Sequence, residues 1–66
     1  MTAVEHHLDK TEAARLFEWR FERLMHAGYL PDQAKALASE HDVDVRLAEQ
    51  LLARGCPRAT AVRILR

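Results

Sequence analysis

The chain contains two glycines and two prolines, and they come as pairs: Gly28 is followed by Pro31, and Gly55 by Pro57. Glycine adopts the left-handed backbone that closes a helix, and proline, with its fixed φ and missing amide proton, suits the opening of the next. Two corners of this kind cut a short chain into helix-length pieces. The segments between them lack the strict alternation of a strand; Val43 and Val45 alternate, but only briefly and among acids. The spacing of Gly28, Ala34 and Leu37 repeats in Gly55, Ala61 and Ile64. Each set reads as a helix-turn-helix corner in which glycine reverses the chain, proline restarts it and a small residue permits close packing.

The apolar spacing predicts four helices. Asp9 and Glu12 resemble a capping start, after which Ala13, Ala14, Phe17, Phe21, Leu24 and Met25 fall on one face until Gly28. Pro31 opens a second helix, with Asp32 favourable against its dipole and Ala34, Leu37 and Ala38 inside; it ends near Glu40 and His41. Asp42 or Asp44 caps a third, carrying Val45, Leu47, Ala48, Leu51 and Leu52 to Gly55. Pro57 opens the last, with Ala61, Val62, Ile64 and Leu65 as its apolar positions. The expected architecture is all-α: a flexible tail over residues 1–8, then one domain over residues 9–66, a compact bundle of three to four short helices.

A 66-residue chain holds one domain and buries only about 60% of its unfolded surface, so it folds with little to spare. Its single cysteine, Cys56, cannot form an internal disulfide, and a lone thiol suits a reducing compartment. Residues 1–7 lack the basic run and apolar stretch of a signal peptide, and no apolar run reaches membrane-spanning length. The expected setting is cytoplasmic, with no membrane partner. Ten basic residues balance ten acidic ones, which argues against a protein that coats polyanions, although residues 50–66 carry Arg54, Arg58, Arg63 and Arg66 and no acid.

The central stretch joins Leu24-Met25-His26-Ala27-Gly28-Tyr29 to Ala34 and Ala36-Leu37, then to Asp42-Val43-Asp44, Ala48 and Leu51-Leu52. Residues 16–54 thereby resemble ubiquitin-associated (UBA-like) three-helix modules, versions of which stand at the front of bacterial elongation factor Ts. The resemblance implies a UBA-like core that binds a protein surface through the first loop and the end of the third helix, on Ala27, Gly28, Tyr29, Leu51 and Leu52. Read physically, a loop aromatic beside a glycine either displays apolar area or closes the core beneath the turn. The whole chain also resembles a family of small actinobacterial proteins with Ala-Gly-Tyr, Asp-Val-Asp and Arg-Gly-Cys-Pro at like positions, a likeness that implies no activity.

The segment from Gly55 to Leu65 resembles the turn and recognition helix of helix-turn-helix DNA-binding proteins. That resemblance implies Arg58 and Thr60 directed at base edges, with Arg54, Arg63 and Arg66 gripping phosphates. The plainer alternative is a solvated basic end that complements the helix dipole. Balanced net charge lowers the phosphate term that dominates such binding.

Trp19 lies roughly 160° around the helix from Phe17, off the apolar stripe. Tryptophan is a favoured interface anchor. It needs a cover, whether the N-terminal helix, the fourth helix or a second chain, and Arg20 and Arg23 are placed to stack on it. Cys56 stands next to a helix start, where the dipole favours a thiolate, but it serves equally as a small buried apolar residue. His6, His7, His26 and His41 share no metal-ligand spacing, and Asp42 and Asp44 suit capping better than a calcium loop. No nucleophile triad, phosphate loop or cofactor motif is present. Four short helices filled by Leu, Phe and Ala also leave little space for a pocket of several hundred Å3. The expectation is a non-catalytic protein-interaction module without metal or cofactor, contacting another protein or a second copy of itself; a DNA-binding regulator is the alternative.

Overall fold

The structure, a computed structural model, describes residues 12–66 in full and residues 2–11 by their backbone. The first helix begins at Thr2 and runs through Asp9, which corrects the helix start expected at Asp9; the side chains of the expected tail over residues 1–8 lie outside the described residues. Four helices follow one another: α1 (Thr2–Ala27), α2 (Pro31–Ser39), α3 (Val45–Ala53) and α4 (Arg58–Leu65). No strand occurs among the described residues, and the chain is a small all-α bundle.

Both glycine corners have the same hydrogen-bond pattern. At the first, the Gly28 amide donates to the Met25 carbonyl at 3.1 Å and the Tyr29 amide to that of Leu24 at 3.2 Å. At the second, Gly55 donates to Leu52 at 3.0 Å and Cys56 to Leu51 at 2.9 Å. These are Schellman closures, which satisfy the last carbonyls of a helix when the residue after its cap takes positive φ. Gly28 and Gly55 do so, at +117° and +91°. The next helix begins three residues past each glycine. Pro31 holds the first helical position of α2, as expected, whereas Pro57 sits one place earlier, as the N-cap of α4. Ala34 and Ala61, each six residues beyond its glycine, are fully buried. The echo ends at the third position, because Leu37 is buried and Ile64 is exposed.

The α2–α3 connection is closed differently. Asp44 caps α3, its Oδ1 accepting from the Arg46 amide at 2.9 Å and the Leu47 amide at 3.3 Å. Val43 and Val45, flanking it, are both buried. From α1, the Arg20 guanidinium donates to the carbonyls of Val43 and, at 3.4 Å, His41. A charged side chain thus satisfies carbonyls that a short loop cannot pair within itself.

The core lies where α2 and α3 cross the second half of α1. Leu24, Leu37, Ala34, Ala48 and Ala61 are wholly buried, with Phe17, Phe21, Leu51 and Leu52 packed around them. Phe17 and Phe21 stack with their ring centres 6.2 Å apart. α4 lies against α3 and α2 and does not reach α1 among the described residues. Several residues expected inside are outside: Ala13, Ala14, Met25, Leu47 and Ile64 are exposed. Helix length explains the first two, since α2 and α3 are nine residues each, about 13 Å, and reach only part of the 26-residue α1.

Candidate interaction surface

The residues singled out in the sequence separate into three places. Tyr29 is 3% exposed, and its hydroxyl donates to the Ala48 carbonyl at 2.8 Å. The ring therefore closes the core beneath the first corner and is withdrawn from any partner, which corrects its assignment as a contact residue. The physical reason is that a buried tyrosine needs a partner for its hydroxyl, and α3 supplies one. Burial pushes the Tyr29 phenol above its usual range, and the neighbouring Cys56 adds to the shift.

Because the unfolded chain releases this proton near pH 10 and the folded chain only at higher pH, the stabilising term is complete below about pH 10 and is lost as pH climbs toward the folded value. As Tyr29 is the only tyrosine, its phenolate absorbance reports the site directly. The absorbance should rise at higher pH in the folded protein than in denaturant. A Tyr29→Phe variant should be about 1 kcal/mol less stable at neutral pH. It should also lose less stability than the parent above pH 10. Coincident folded and denatured titrations would remove the burial argument.

Around the same corner, Gly28 is exposed and Ala27, Leu51 and Leu52 are half-buried. A Cβ built on Gly28 would lie 3.6 Å from Leu52 Cδ1, so the two residues expected to form one contact surface are adjacent. Their neighbour Leu30, 48% exposed, was not singled out in the sequence. Its signal was its place before Pro31, where proline forces extended backbone and the residue stands outside the helix it caps.

The arginines expected at DNA lie along the outside of the second corner and α4, where Arg54, Arg58, Thr60, Arg63 and Arg66 are all exposed. Two of them hold partners within the chain. Arg58 donates to the Gly28 carbonyl at 3.3 Å, linking the corners, and Arg66 pairs with Glu40 at 2.9 Å.

Trp19 lies on the outer face of α1 and is 49% exposed, with Leu16 beside it at 60%. α4 does not approach α1 among the described residues and so does not cover Trp19. Arg23 lies over the indole at 4.9 Å from the ring centre. The same guanidinium binds Glu49 on α3 through two hydrogen bonds, Nε to Oε2 at 2.9 Å and Nη2 to Oε1. Held between α1 and α3 in this way, Arg23 fixes one face of the ring. Of the two arginines expected to stack on Trp19, Arg23 does so while Arg20 turns to the α2–α3 loop.

No family model, curated protein or solved structure matches this chain. Its surfaces must therefore be judged by their own chemistry. Leu16 and Trp19 form one wall of a groove of about 800 Å3 between α1 and the α2–α3 loop. Phe17, Ala38, Val43 and Val45 also line it, with Arg20, Arg23, Asp44 and Arg46 among its polar residues. The expectation that four short helices leave little space of this size is corrected. The space lies beside the core, where the long α1 runs past its shorter neighbours. The groove is open to solvent and mostly apolar, a shape that accepts a side-chain row better than it encloses a small polar molecule. No group of three or more metal-binding side chains converges among the described residues. None of the helices is long and apolar enough to cross a membrane, again among the described residues.

Proposed function

We propose that this chain is a non-catalytic protein-interaction module of UBA-like build that takes its partner on the outer face of α1, at Leu16 and Trp19. The observation that carries the reading is the half-exposed indole of Trp19, set on a regular helix and braced by Arg23 at the edge of an apolar groove. Aromatic anchors of this kind dominate the binding energy of interfaces when a partner removes them from water. The UBA-like likeness of residues 16–54 points instead to the first corner, and with Tyr29 turned inward only Ala27, Gly28, Leu51 and Leu52 remain of that surface. Trp19 therefore stands first and the corner second.

The test is capture from the native host by the tagged chain, with and without nuclease. Trp19→Ala should weaken recovery of the bound protein by about thirtyfold or more, equivalent to roughly 2 kcal/mol, with the helical circular dichroism signal retained. Undiminished recovery would remove the α1 face from the proposal. Recovery lost with Leu52→Ala but not with Trp19→Ala would move the contact to the corner.

DNA binding through α4 remains the alternative reading. Of its five residues, Arg58 and Arg66 are engaged within the chain, and Leu51 stands where that motif takes a small residue. Recovery that depends on intact nucleic acid and is abolished by Arg58→Ala with Arg63→Ala would favour it.

A further inference from the structure

We infer that the partner of the α1 face is a second copy of this chain, paired through α1 in antiparallel orientation; the inference rests on the reading of Trp19 as a contact residue. Along the outer face of α1 the residues Glu12, Leu16, Trp19, Arg23 and His26 follow one another at alternating spacings of four and three. That spacing is the seam of a two-helix pairing, because it keeps one stripe facing the neighbour over successive turns. Arg23 is half-buried and the other four are exposed, so the seam is accessible and uncovered among the described residues.

The charge along this seam is graded. An acid lies at its N-terminal end, two apolar residues at its centre and a base at its C-terminal end; in the sequence the same spacing continues back to Asp9 and Glu5. A parallel pair would set Glu12 against Glu12 and Arg23 against Arg23, and like charges at such positions repel. Turned antiparallel about a two-fold axis between Phe17 and Glu18, Leu16 of each copy meets Trp19 of the other, and Glu12 meets Arg23. The flanking row agrees: Arg15 of one copy comes beside Glu22 of the other. Every one of these contacts occurs twice, as a self-complementary interface requires.

Arg23 has the capacity for this. Its Nε and Nη2 are used by Glu49, which leaves Nη1 without a partner among the described residues and directed away from that pair. The other row flanking the seam sets Arg20 of one copy beside Ala13 of the other, so no like charges meet there, and Arg20 is turned to the loop carbonyls of Val43 and His41. The stripe from Glu12 to His26 spans about four turns and falls short of the roughly 800 Å2 per partner of a standard interface, so the pairing is weak and concentration-dependent.

Sedimentation equilibrium of the full chain up to about 1 mM tests this, with charge reversals outside the fold's own contacts. The mass should approach twice the 7.6 kDa of one chain. Arg15→Glu and Glu22→Arg should each raise the dimer dissociation constant about tenfold, and the double variant should restore most of the loss. A double variant no better than either single, or singles without effect, overturns the antiparallel register. A parent that stays at 7.6 kDa throughout overturns self-pairing altogether. If Trp19→Ala nevertheless loses capture of another protein, the α1 face remains a binding surface with a different occupant.

Discussion

Leu24→Ala and Leu37→Ala are each expected to lower the melting temperature by at least about 10 °C. Among the described residues the two leucines are the largest side chains that the fold buries completely. Leu24 comes from α1 and Leu37 from α2, and both lie in the cluster that also holds Ala48 of α3 and Ala61 of α4. Truncating a buried leucine costs about 2–5 kcal/mol, from lost burial and from the cavity left behind. A chain of this length has roughly 3–10 kcal/mol of stability in all, and each kcal/mol moves the midpoint of so small a domain by about 4–8 °C. Thermal denaturation followed by circular dichroism is the measurement. A shift of only a degree or two for both variants would mean that the stability resides elsewhere than in this cluster.

The second large effect is expected at the corners, with an inequality between them. Gly28→Ala and Gly55→Ala each place a side chain where the backbone has positive φ, at a cost of roughly 1–3 kcal/mol. Space is not the obstacle. At Gly28 the added carbon would meet Leu52 at an ordinary 3.6 Å, and at Gly55 it would meet nothing within 4 Å. The difference lies in the dihedral. At +117° Gly28 is farther than Gly55, at +91°, from the left-handed well near +57° that other residues can occupy. Gly28→Ala should therefore be the more damaging substitution in urea denaturation. Equal losses, or losses below about 0.5 kcal/mol, would show that the corners relax at little cost.

What the sequence revealed was local, and what it concealed depended on contacts across the chain. The corners were legible because Gly28 and Gly55 must take a conformation that other residues avoid, and the prolines mark where each next helix begins. A cap at Asp42 or Asp44 was legible because such a carboxylate needs only amides two and three residues ahead, and Asp44 is the one that takes the role. The apolar stripe of α1 gave the direction of the core and not its extent, so Ala13 and Ala14 were placed inside while the shorter neighbours leave them in solvent. Tyr29 could close the core or display its ring, and the matter turned on Ala48, nineteen residues away in the chain. Arg20 gave no local signal at all, since its partners, the carbonyls of His41 and Val43, carry no side-chain signature. Trp19 was legible as misplaced from the core; the groove beside it was not, because a groove is made by the unequal lengths of helices and not by any one of them.

The attachment of α4 sets an order in which this molecule comes apart. Among the helices α4 is fastened to α3 and α2, by buried Ala61, half-buried Val62 and Leu65 and the Arg66–Glu40 pair, with Arg58 bound to the Gly28 carbonyl, while α2 and α3 each pack directly on α1. Local opening needs only the free energy of the contacts it breaks, so the C-terminal helix can peel away while the three-helix body stays closed. When it lifts, Arg63 and Arg66 leave with it and the flank of Leu51 and Leu52 meets water. One low-energy fluctuation therefore exchanges a basic exterior for an oily one, where α4 had lain.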